Sequence, residues 1–151
     1  MFSFAGPAIK LLNEKGIKAI VVTNQSGIGR GYFDRKTLDE IHRKLRGELA
    51  KEEAFLDRIY YCPHHLDDDC HCRKPKTGLF LKAAGDFDLD LGQCCTIGDK
   101  LTDLEAGREA GTKTILVLTG YGKEVLNNKE DPIFDYKAKN LLEAVKILTT
   151  I

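Results

Sequence analysis

The sequence predicts an α/β fold with a mainly parallel sheet. Short β-branched runs alternate with segments of helical periodicity along the 151 residues, a pattern typical of parallel α/β domains. Polar or glycine-containing segments follow several of these runs directly, as expected where parallel strands end at a ligand site. Because neither a linker nor an internal repeat interrupts the pattern, we expect one domain spanning residues 1–151.

Composition limits the classes of function. The chain is 42% hydrophobic and 30% charged, which is ordinary for a soluble globular protein. Its 23 basic and 23 acidic residues argue against a broad nucleic-acid-binding surface, but they leave room for a local basic pocket. No apolar run approaches the ~20 residues that span a bilayer, and residues 1–4 lack the features of a secretory signal. We therefore expect a cytoplasmic protein that binds neither membranes nor nucleic acid; its oligomeric state is not indicated.

In the first half of the chain, a helix and a strand precede a long second helix. Residues 7–15 have the spacing of an amphipathic helix, and residues 17–23 form a β-branched run typical of a buried strand. Residues 24–31 contain three glycines and predict a loop. Asp34 is a suitable N-cap for the second helix. The apolar residues of that helix recur at helical spacing, at Leu38, Ile41, Leu45 and Leu49.

In the second half, strands and helices alternate around a polar loop at residues 62–75. Strands are predicted at residues 58–61, 94–98 and 114–118, and helices at residues 78–84, 100–110 and 140–148. Gly111 provides a stop signal for the second of these helices. Cys94 and Cys95 stand where a strand begins, so we expect them to fill the core rather than to bind a metal.

The polar loop contains a cluster of cysteines and histidines. Cys62-Pro63-His64-His65 is followed closely by Cys70-His71-Cys72, which places soft ligands on either side of a short turn, as tetrahedral zinc sites require. We assign Zn²⁺ ligands at Cys62, His64, Cys70 and Cys72, and leave His65 and His71 outside the site. The site would be structural, because four protein ligands leave no position for water or substrate. The alternative is a loop with scattered, metal-free side chains; its few apolar residues cannot build a core, which favours the metal.

Polar and basic side chains follow two predicted elements. Thr23-Asn24-Gln25-Ser26-Gly27 provides hydroxyl, amide and backbone donors immediately after a strand, which suits a phosphate. The same residues could instead serve only the geometry of a turn. Arg73-Lys74-Pro75 places two cations directly after the last predicted zinc ligand, which suits an anion. The alternative is a solvated surface pair.

Two carboxylates follow the strand at residues 94–98. Asp99 stands at the carboxyl end of this strand, and Asp103 lies one helical turn further along. Carboxylate oxygens in this position suit a hard cation such as Mg²⁺. The alternative is a helix N-cap followed by a first-turn acid, which would explain one aspartate. Lys100 beside them favours the interpretation as a ligand site.

Taken together, these segments resemble the haloacid dehalogenase superfamily of phosphotransferases. Thr23 matches its second motif, Lys74 its third, and Asp99 with Asp103 its fourth. The zinc loop narrows the resemblance to the group of histidinol-phosphate and heptose bisphosphate phosphatases. Ser26 favours the heptose enzymes, because the histidinol enzymes have an acidic residue at this position. The short zinc loop, in contrast, is also found in histidinol enzymes. The resemblance implies a Rossmann-like three-layer sandwich of the capless type.

The resemblance also implies a reaction and a role for each matching residue. The reaction is hydrolysis of the 7-phosphate of D-glycero-D-manno-heptose 1,7-bisphosphate through an aspartyl-phosphate, in nucleotide-activated heptose and lipopolysaccharide precursor synthesis. Thr23 would bind the phosphate and Lys74 would neutralise it. Asp99 would ligate catalytic Mg²⁺, and Asp103 would orient its neighbours. The residues expected to contact the sugar phosphate are Asn24, Gln25, Ser26, Arg73 and Lys100.

One part of the family pattern is missing from the sequence. The first motif, Asp-x-Asp-Gly-Thr, would supply the nucleophile and the acid–base, and it occurs nowhere in the 151 residues. Asp86-Phe87-Asp88 and Asp88-Leu89-Asp90 have the spacing, but no Gly-Thr follows and the preceding residues predict a helix end. The family's first strand, central in the sheet between those matching residues 17–23 and 94–98, is missing with the motif. We therefore expect the chain itself to be inactive.

Three explanations for this departure remain open. We prefer a start site placed too late, or a shortened form of a normal enzyme. The chain could instead be a catalytically dead paralogue that binds phosphosugars or a protein, or a fragment that another chain completes with the missing strand. Loss of a central strand leaves rows of backbone donors and acceptors unpaired, which is unfavourable. An in-frame Asp-x-Asp-Gly-Thr in the DNA just upstream would favour the first explanation.

Overall fold

Every described strand runs parallel to its neighbour, and helices lie between the strands along the chain, which confirms the predicted α/β class. The structure is a computed structural model that describes residues 1–128 and 133–151. These residues form two units, Met1–Arg73 and Lys74–Ile151. The described strands form a two-stranded sheet in the first unit and a three-stranded sheet in the second.

The first unit contains three helices of very different length around its two strands. Its elements are α1 (Ala5–Glu14), β1 (Ile20–Asn24), α2 (Ser26–Gly29), α3 (Arg35–Lys51) and β2 (Arg58–Cys62). The prediction of a loop throughout residues 24–31 was wrong at α2. There the amide of Arg30 donates to the carbonyl of Ser26 at 2.9 Å and closes one helical turn, in spite of the glycines that made a loop the natural expectation.

The start of β1 is fixed by the residue that precedes β2. The backbone amide of Ala19 donates to the Asp57 carboxylate at 2.8 Å, and the Asp57 amide donates to the Ala19 carbonyl at 2.8 Å. The strands then pair from Ile20 opposite Arg58 onward. β1 begins later than the predicted residue 17, because the amide of Ile17 is used in the turn that ends α1.

Helix α3 confirms the predicted cap and part of the predicted apolar face. The carboxylate of Asp34 accepts a hydrogen bond from the Thr37 amide at 2.8 Å. Leu38 and Leu49 are buried, but Ile41 is 53% exposed. With 3.6 residues per turn, Ile41 lies about 60° around the helix from the line of the two buried leucines. The buried face of this helix is therefore narrower than the apolar face predicted from the sequence.

The second unit builds its sheet in the order β3-β4-β5. Its elements are α4 (Gly78–Phe87), a 3₁₀ turn (Leu91–Gln93), β3 (Cys95–Gly98), α5 (Leu101–Glu109), β4 (Lys113–Val117), α6 (Gly122–Asn127), β5 (Tyr136–Ala138) and α7 (Leu141–Leu148). The core of this sheet includes Ile115 and Ala144, and Cys95 packs against it as predicted. Cys94 lies just before β3, where its thiol donates to the Asp90 carbonyl at 3.2 Å. None of the described helices is long and apolar enough to cross a bilayer.

Helix α5 lies very close to strand β3. A Cβ atom at Gly107 would come within 2.5 Å of the Thr96 hydroxyl, so only glycine allows this approach. The Thr96 hydroxyl is 2.6 Å from the Thr112 hydroxyl, which in turn donates to the Gly107 carbonyl at 2.9 Å. Because Asp99 and Asp103 lie where β3 leads into α5, this packing fixes the backbone that carries both carboxylates.

Candidate functional site

The four predicted metal ligands converge at the end of β2. Their ligand atoms, from Cys62, His64, Cys70 and Cys72, all lie within 4.8 Å of one another. The sulfurs of Cys62 and Cys70 are 3.7 Å apart, and the His64 Nδ1 is 3.4 Å and 3.1 Å from the sulfurs of Cys62 and Cys72. Tetrahedral zinc places two sulfurs about 3.8 Å apart, and a sulfur and a nitrogen about 3.6 Å apart. The cluster therefore has the donor set of a zinc site, and its atoms lie within about half an ångström to one ångström of the tetrahedral distances.

The electrostatics of the cluster also fit a cation. Burial raises the pKa of the Cys70 thiol, but hydrogen bonds from the Arg73 amide and from Cys62 outweigh it, and this pKa falls to about 7. Burial, followed by hydrogen bonds with Cys62 and Cys70, raises the pKa of Cys72 to about 12. The hydrogen bonds among the three thiols thus stabilise the thiolate of Cys70 and disfavour the thiolate of Cys72. A bound cation would favour every thiolate at once.

The two remaining histidines of the loop lie outside this cluster. His65 shapes a turn: its Nδ1 accepts from the Asp67 amide at 3.0 Å, and its own amide donates to the Asp68 carboxylate at 2.8 Å. His71 is exposed. The cluster therefore contains the four side chains that were assigned from the sequence, and it contains neither His65 nor His71.

The predicted phosphate-binding residues of the first unit follow β1. The side-chain amide of Gln25 donates to the Thr23 hydroxyl at 3.1 Å, and the backbone amide of Gln25 donates to the Cys62 carbonyl at 2.7 Å. Thr23 and Asn24 end the strand, and Ser26 begins α2. All four side chains are half-buried, so hydroxyl and amide groups meet at the carboxyl end of β1.

Arg73, the last residue of the first unit, carries an orphaned donor. Its Nη1 atom is buried and has no hydrogen-bond partner among the described residues. A buried guanidinium donor without an acceptor is unfavourable, and an anionic ligand would satisfy it. This observation fits the predicted role of Arg73 in contacting a phosphorylated substrate.

The predicted residues of the second unit form a frame at the carboxyl end of β3. The Lys74 ammonium lies 2.7 Å from the Asp103 carboxylate, and both side chains are largely buried. The other Asp103 oxygen accepts from the Lys100 amide at 3.1 Å and caps α5. Asp103 thus contacts Lys74 and caps the start of α5, which is the structural role considered as an alternative. Its predicted role in orienting its neighbours for the reaction stays a prediction.

Asp99 is held by a turn that sequence reasoning missed. The backbone amide of Tyr121 donates to Asp99 Oδ2 at 3.0 Å. Gly120, with φ of 58°, lets the turn come so close that a Cβ atom would lie 2.1 Å from the same oxygen. A signal was present in the sequence, since Gly120 and Gly122 stand two and four residues after the strand predicted at residues 114–118.

An open cleft lies beside this turn. Its volume is about 410 Å³, and its lining includes Lys100, Tyr121, Glu124 and Asn128. The Lys100 ammonium lies 4.9 Å from the centre of the Tyr121 ring, within the range of a cation–π contact. Lys100 therefore stands next to Asp99 with its side chain turned to a wall of the cleft.

We expect Gly120→Ala to destabilise the chain and to displace Asp99. The substitution forces a side chain into left-handed backbone, which costs about 1–3 kcal/mol. It also pushes the Asp99 carboxylate away, so the hydrogen bond from the Tyr121 amide is weakened. Gly111→Ala is the matched control, because Gly111 has φ of 92° but open space around it. Urea unfolding measures both variants. Equal losses of stability in the two variants would show that the contact with Asp99 does not contribute to the loss.

The three aspartates that have the spacing of the missing motif lie at the end of α4 and at the start of the 3₁₀ turn. Asp86 lies in the last turn of α4, and Asp88 follows the helix in left-handed backbone with φ of 52°. The Asp90 carboxylate accepts from the Gly92 amide at 2.9 Å and caps the 3₁₀ turn. The expectation that these residues mark a helix end is confirmed.

Comparisons with known proteins identify the family of this chain. Residues 71–144 match the HAD-hydrolase-like family model. D-glycero-beta-D-manno-heptose-1,7-bisphosphate 7-phosphatase from Haemophilus influenzae is 39% identical over 93% of this chain and 79% of the relative. The phosphatase of the same name from Bordetella bronchiseptica is 42% identical over 79% of this chain and 66% of the relative.

Solved structures give the same family. The crystal structure of D,D-heptose 1,7-bisphosphate phosphatase from B. bronchiseptica, complexed with magnesium and phosphate, matches with a TM-score of 0.94 at 36% identity, over 99% of this chain and 83% of that chain. The corresponding phosphatase from Burkholderia thailandensis matches with a TM-score of 0.80 at 30% identity, over 99% and 86%. The chain therefore belongs to the D-glycero-D-manno-heptose-1,7-bisphosphate 7-phosphatase family of the haloacid dehalogenase-like hydrolases.

Proposed function

We propose that the protein is a Mg²⁺-dependent phosphatase that removes the 7-phosphate of D-glycero-D-manno-heptose 1,7-bisphosphate, in the cytoplasm, during synthesis of nucleotide-activated heptose for lipopolysaccharide. The observation that carries the proposal is the frame in which Lys74, Asp99 and Asp103 are each held by a hydrogen bond at the carboxyl end of β3. Phosphoryl transfer depends mainly on such positioning of charges. The relatives supply the identity of the sugar phosphate.

Each residue of the frame has a distinct task in this proposal. Lys74 places a positive charge where the phosphate gains negative charge in the transition state. Asp99 would hold Mg²⁺, which when bound neutralises charge on the transferring phosphoryl group. Asp103 orients Lys74 and keeps the start of α5 in place. The sequence contains no Asp-x-Asp-Gly-Thr, so the aspartyl nucleophile and the acid–base of this reaction are not among its residues.

The first unit would bind the substrate and a second metal. Thr23 and its neighbours Asn24, Gln25 and Ser26 offer hydroxyl and amide donors to the phosphate, and Arg73 offers its orphaned Nη1. The cluster at Cys62, His64, Cys70 and Cys72 would hold a structural Zn²⁺, with every coordination position taken by protein. Zinc would therefore order the loop rather than take part in the chemistry.

Phosphate release from the heptose bisphosphate tests the proposal. We expect no release with Mg²⁺ from the 151-residue chain, and release from a chain extended upstream by an in-frame Asp-x-Asp-Gly-Thr segment. Asp99→Asn in the extended chain is the control for background hydrolysis. Release by the unextended chain would mean that another aspartate acts as nucleophile. Much faster hydrolysis of histidinol phosphate would show that the substrate assignment is wrong.

A second candidate is a binding module without turnover. The observation that favours it is the absence of the nucleophile motif from the sequence. Calorimetric titration of the 151-residue chain with the heptose bisphosphate distinguishes the phosphatase from the binding module. Tight binding without release, when no upstream motif exists in the gene, would favour the module. Histidinol phosphatase remains the alternative enzyme, because the zinc loop is short.

A further inference from the structure

The phosphate turn, residues 23–29, is packed directly on the zinc loop. A Cβ atom at Gly29 would lie 2.3 Å from the backbone nitrogen of His65, 2.8 Å from the carbonyl carbon of His64 and 2.9 Å from the carbonyl oxygen of Pro63. Real Cβ atoms do not approach backbone so closely, and backbone cannot move aside as a flexible side chain can. Gly29 is therefore the point at which the turn and the loop touch with no space between them.

A hydrogen bond joins the same two segments on the other side of the turn. The backbone amide of Gln25 donates at 2.7 Å to the carbonyl of Cys62, which is one of the four clustered ligands. The Gln25 side chain in turn donates to the Thr23 hydroxyl at 3.1 Å. A continuous path of contacts thus leads from the ligand cluster through Cys62 and Gln25 to Thr23.

The loop has little apolar packing of its own to hold it against the turn. Leu66 is 49% exposed, and residues 67–69 are three exposed aspartates. Apart from the turn at His65, order in the segment that faces Gly29 depends on the ligand cluster, since His64 is both a predicted ligand and a contact of Gly29. The position of the turn then depends on the state of the cluster.

We propose that Gly29 is a positioning residue through which metal binding at Cys62, His64, Cys70 and Cys72 sets the geometry of the phosphate turn. The loop closed by the metal forms the surface against which α2 packs, and the Gln25 amide secures Thr23 to it. Coupling between two sites is reciprocal, so a side chain at Gly29 that displaces the backbone of the loop is expected to weaken metal binding as well. The proposal rests on the proposed function only for the role of Thr23 as a phosphate ligand.

Titration with Co²⁺, followed by its d–d absorption, tests the reciprocal effect in the whole chain. We expect Gly29→Ala to weaken Co²⁺ binding by about tenfold, because overpacking against backbone distorts the loop that carries His64. Gly47→Ala is the matched control, since Gly47 is also helical but a Cβ atom there meets nothing within 4 Å. Equal affinity and an identical spectrum for the two variants would overturn the proposal.

Amide hydrogen exchange in the unmodified chain provides a second measurement, which does not depend on a variant that folds. We expect removal of the metal with a chelator to speed exchange of the Gln25 amide by about tenfold or more. The Ile17 amide is the internal control, because it donates to Leu12 and has no bond to the loop. An unchanged Gln25 amide would overturn the proposal, and so would equal acceleration of both amides.

These measurements are independent of the proposed reaction. Neither uses hydrolysis, so a chain without phosphatase activity can still show the coupling between metal and turn. Conversely, if the extended chain is an active phosphatase but Gly29→Ala leaves Co²⁺ binding unchanged, the proposed coupling is contradicted and the proposed function is not.

Discussion

Replacement of Cys72 by serine should remove zinc from the chain and unfold the loop at residues 62–75. The native chain is expected to hold about one tightly bound zinc ion, and structural zinc contributes about 10–16 kcal/mol of binding free energy in small zinc domains. Loss of one thiolate from a cluster with three sulfurs and one nitrogen therefore removes a large part of the stability of this loop. Elemental analysis measures the metal, and the thermal unfolding midpoint measures the stability.

Cys94→Ser is the matched control for this experiment. Cys94 is a half-buried thiol that donates to the Asp90 carbonyl, a hydrogen bond that a serine hydroxyl can also make. We expect this variant to keep its metal and most of its stability. A native chain that is stable without metal, or a Cys72→Ser chain that matches Cys94→Ser, would contradict the interpretation of the cluster as a zinc site.

Lys74→Ala should strongly damage the second unit. Lys74 and Asp103 are 2.7 Å apart, and their side chains are only 11% and 13% exposed. Removal of the ammonium leaves a carboxylate buried without its partner, which costs about 3–5 kcal/mol. Urea unfolding measures this loss. In an extended, active chain the same change should abolish phosphate release, because the proposed mechanism uses the positive charge of Lys74 at the phosphate.

An exposed ion pair offers the control for Lys74. Lys10 and Glu53 are 2.6 Å apart, but their side chains are 37% and 80% exposed. Pairs of this kind contribute about 0–1 kcal/mol, so Lys10→Ala should have little effect. If Lys74→Ala were as mild as Lys10→Ala, the pair would be less buried than the structure indicates. A nearly normal rate in the extended Lys74→Ala chain would exclude the proposed mechanism.

Local spacing was enough to predict much of the fold and of the candidate site. The zinc ligands lie within eleven residues of one another, so the Cys and His pattern alone selects the four side chains that converge. Asp34 could be assigned as a cap because capping depends on its immediate neighbours. Asp99 and Asp103 could be placed at the end of β3 because a β-branched run precedes them.

Features that depend on contacts between distant segments were not predicted. The turn at Gly120 holds Asp99 from a position about twenty residues away in sequence, and no periodicity encodes such a contact. β5 has three residues and α6 has six, which is too short for a reliable hydrophobic pattern. The orphaned Arg73 donor and the contact between Gly29 and His65 depend likewise on tertiary structure.

The close approach of α5 to β3 bears on how substrate preference could evolve in this protein. Gly107 accepts no side chain, and Gly98 lies against Asp103 with equally little room. Mutations that altered the spacing of the carboxylates would therefore also disrupt the packing of the core, and selection for folding would remove them. Lys100 and Tyr121 are exposed instead and line an open cleft. Under the proposed function, substitutions at these two positions could alter contacts with a substrate while the carboxylates behind them keep their positions.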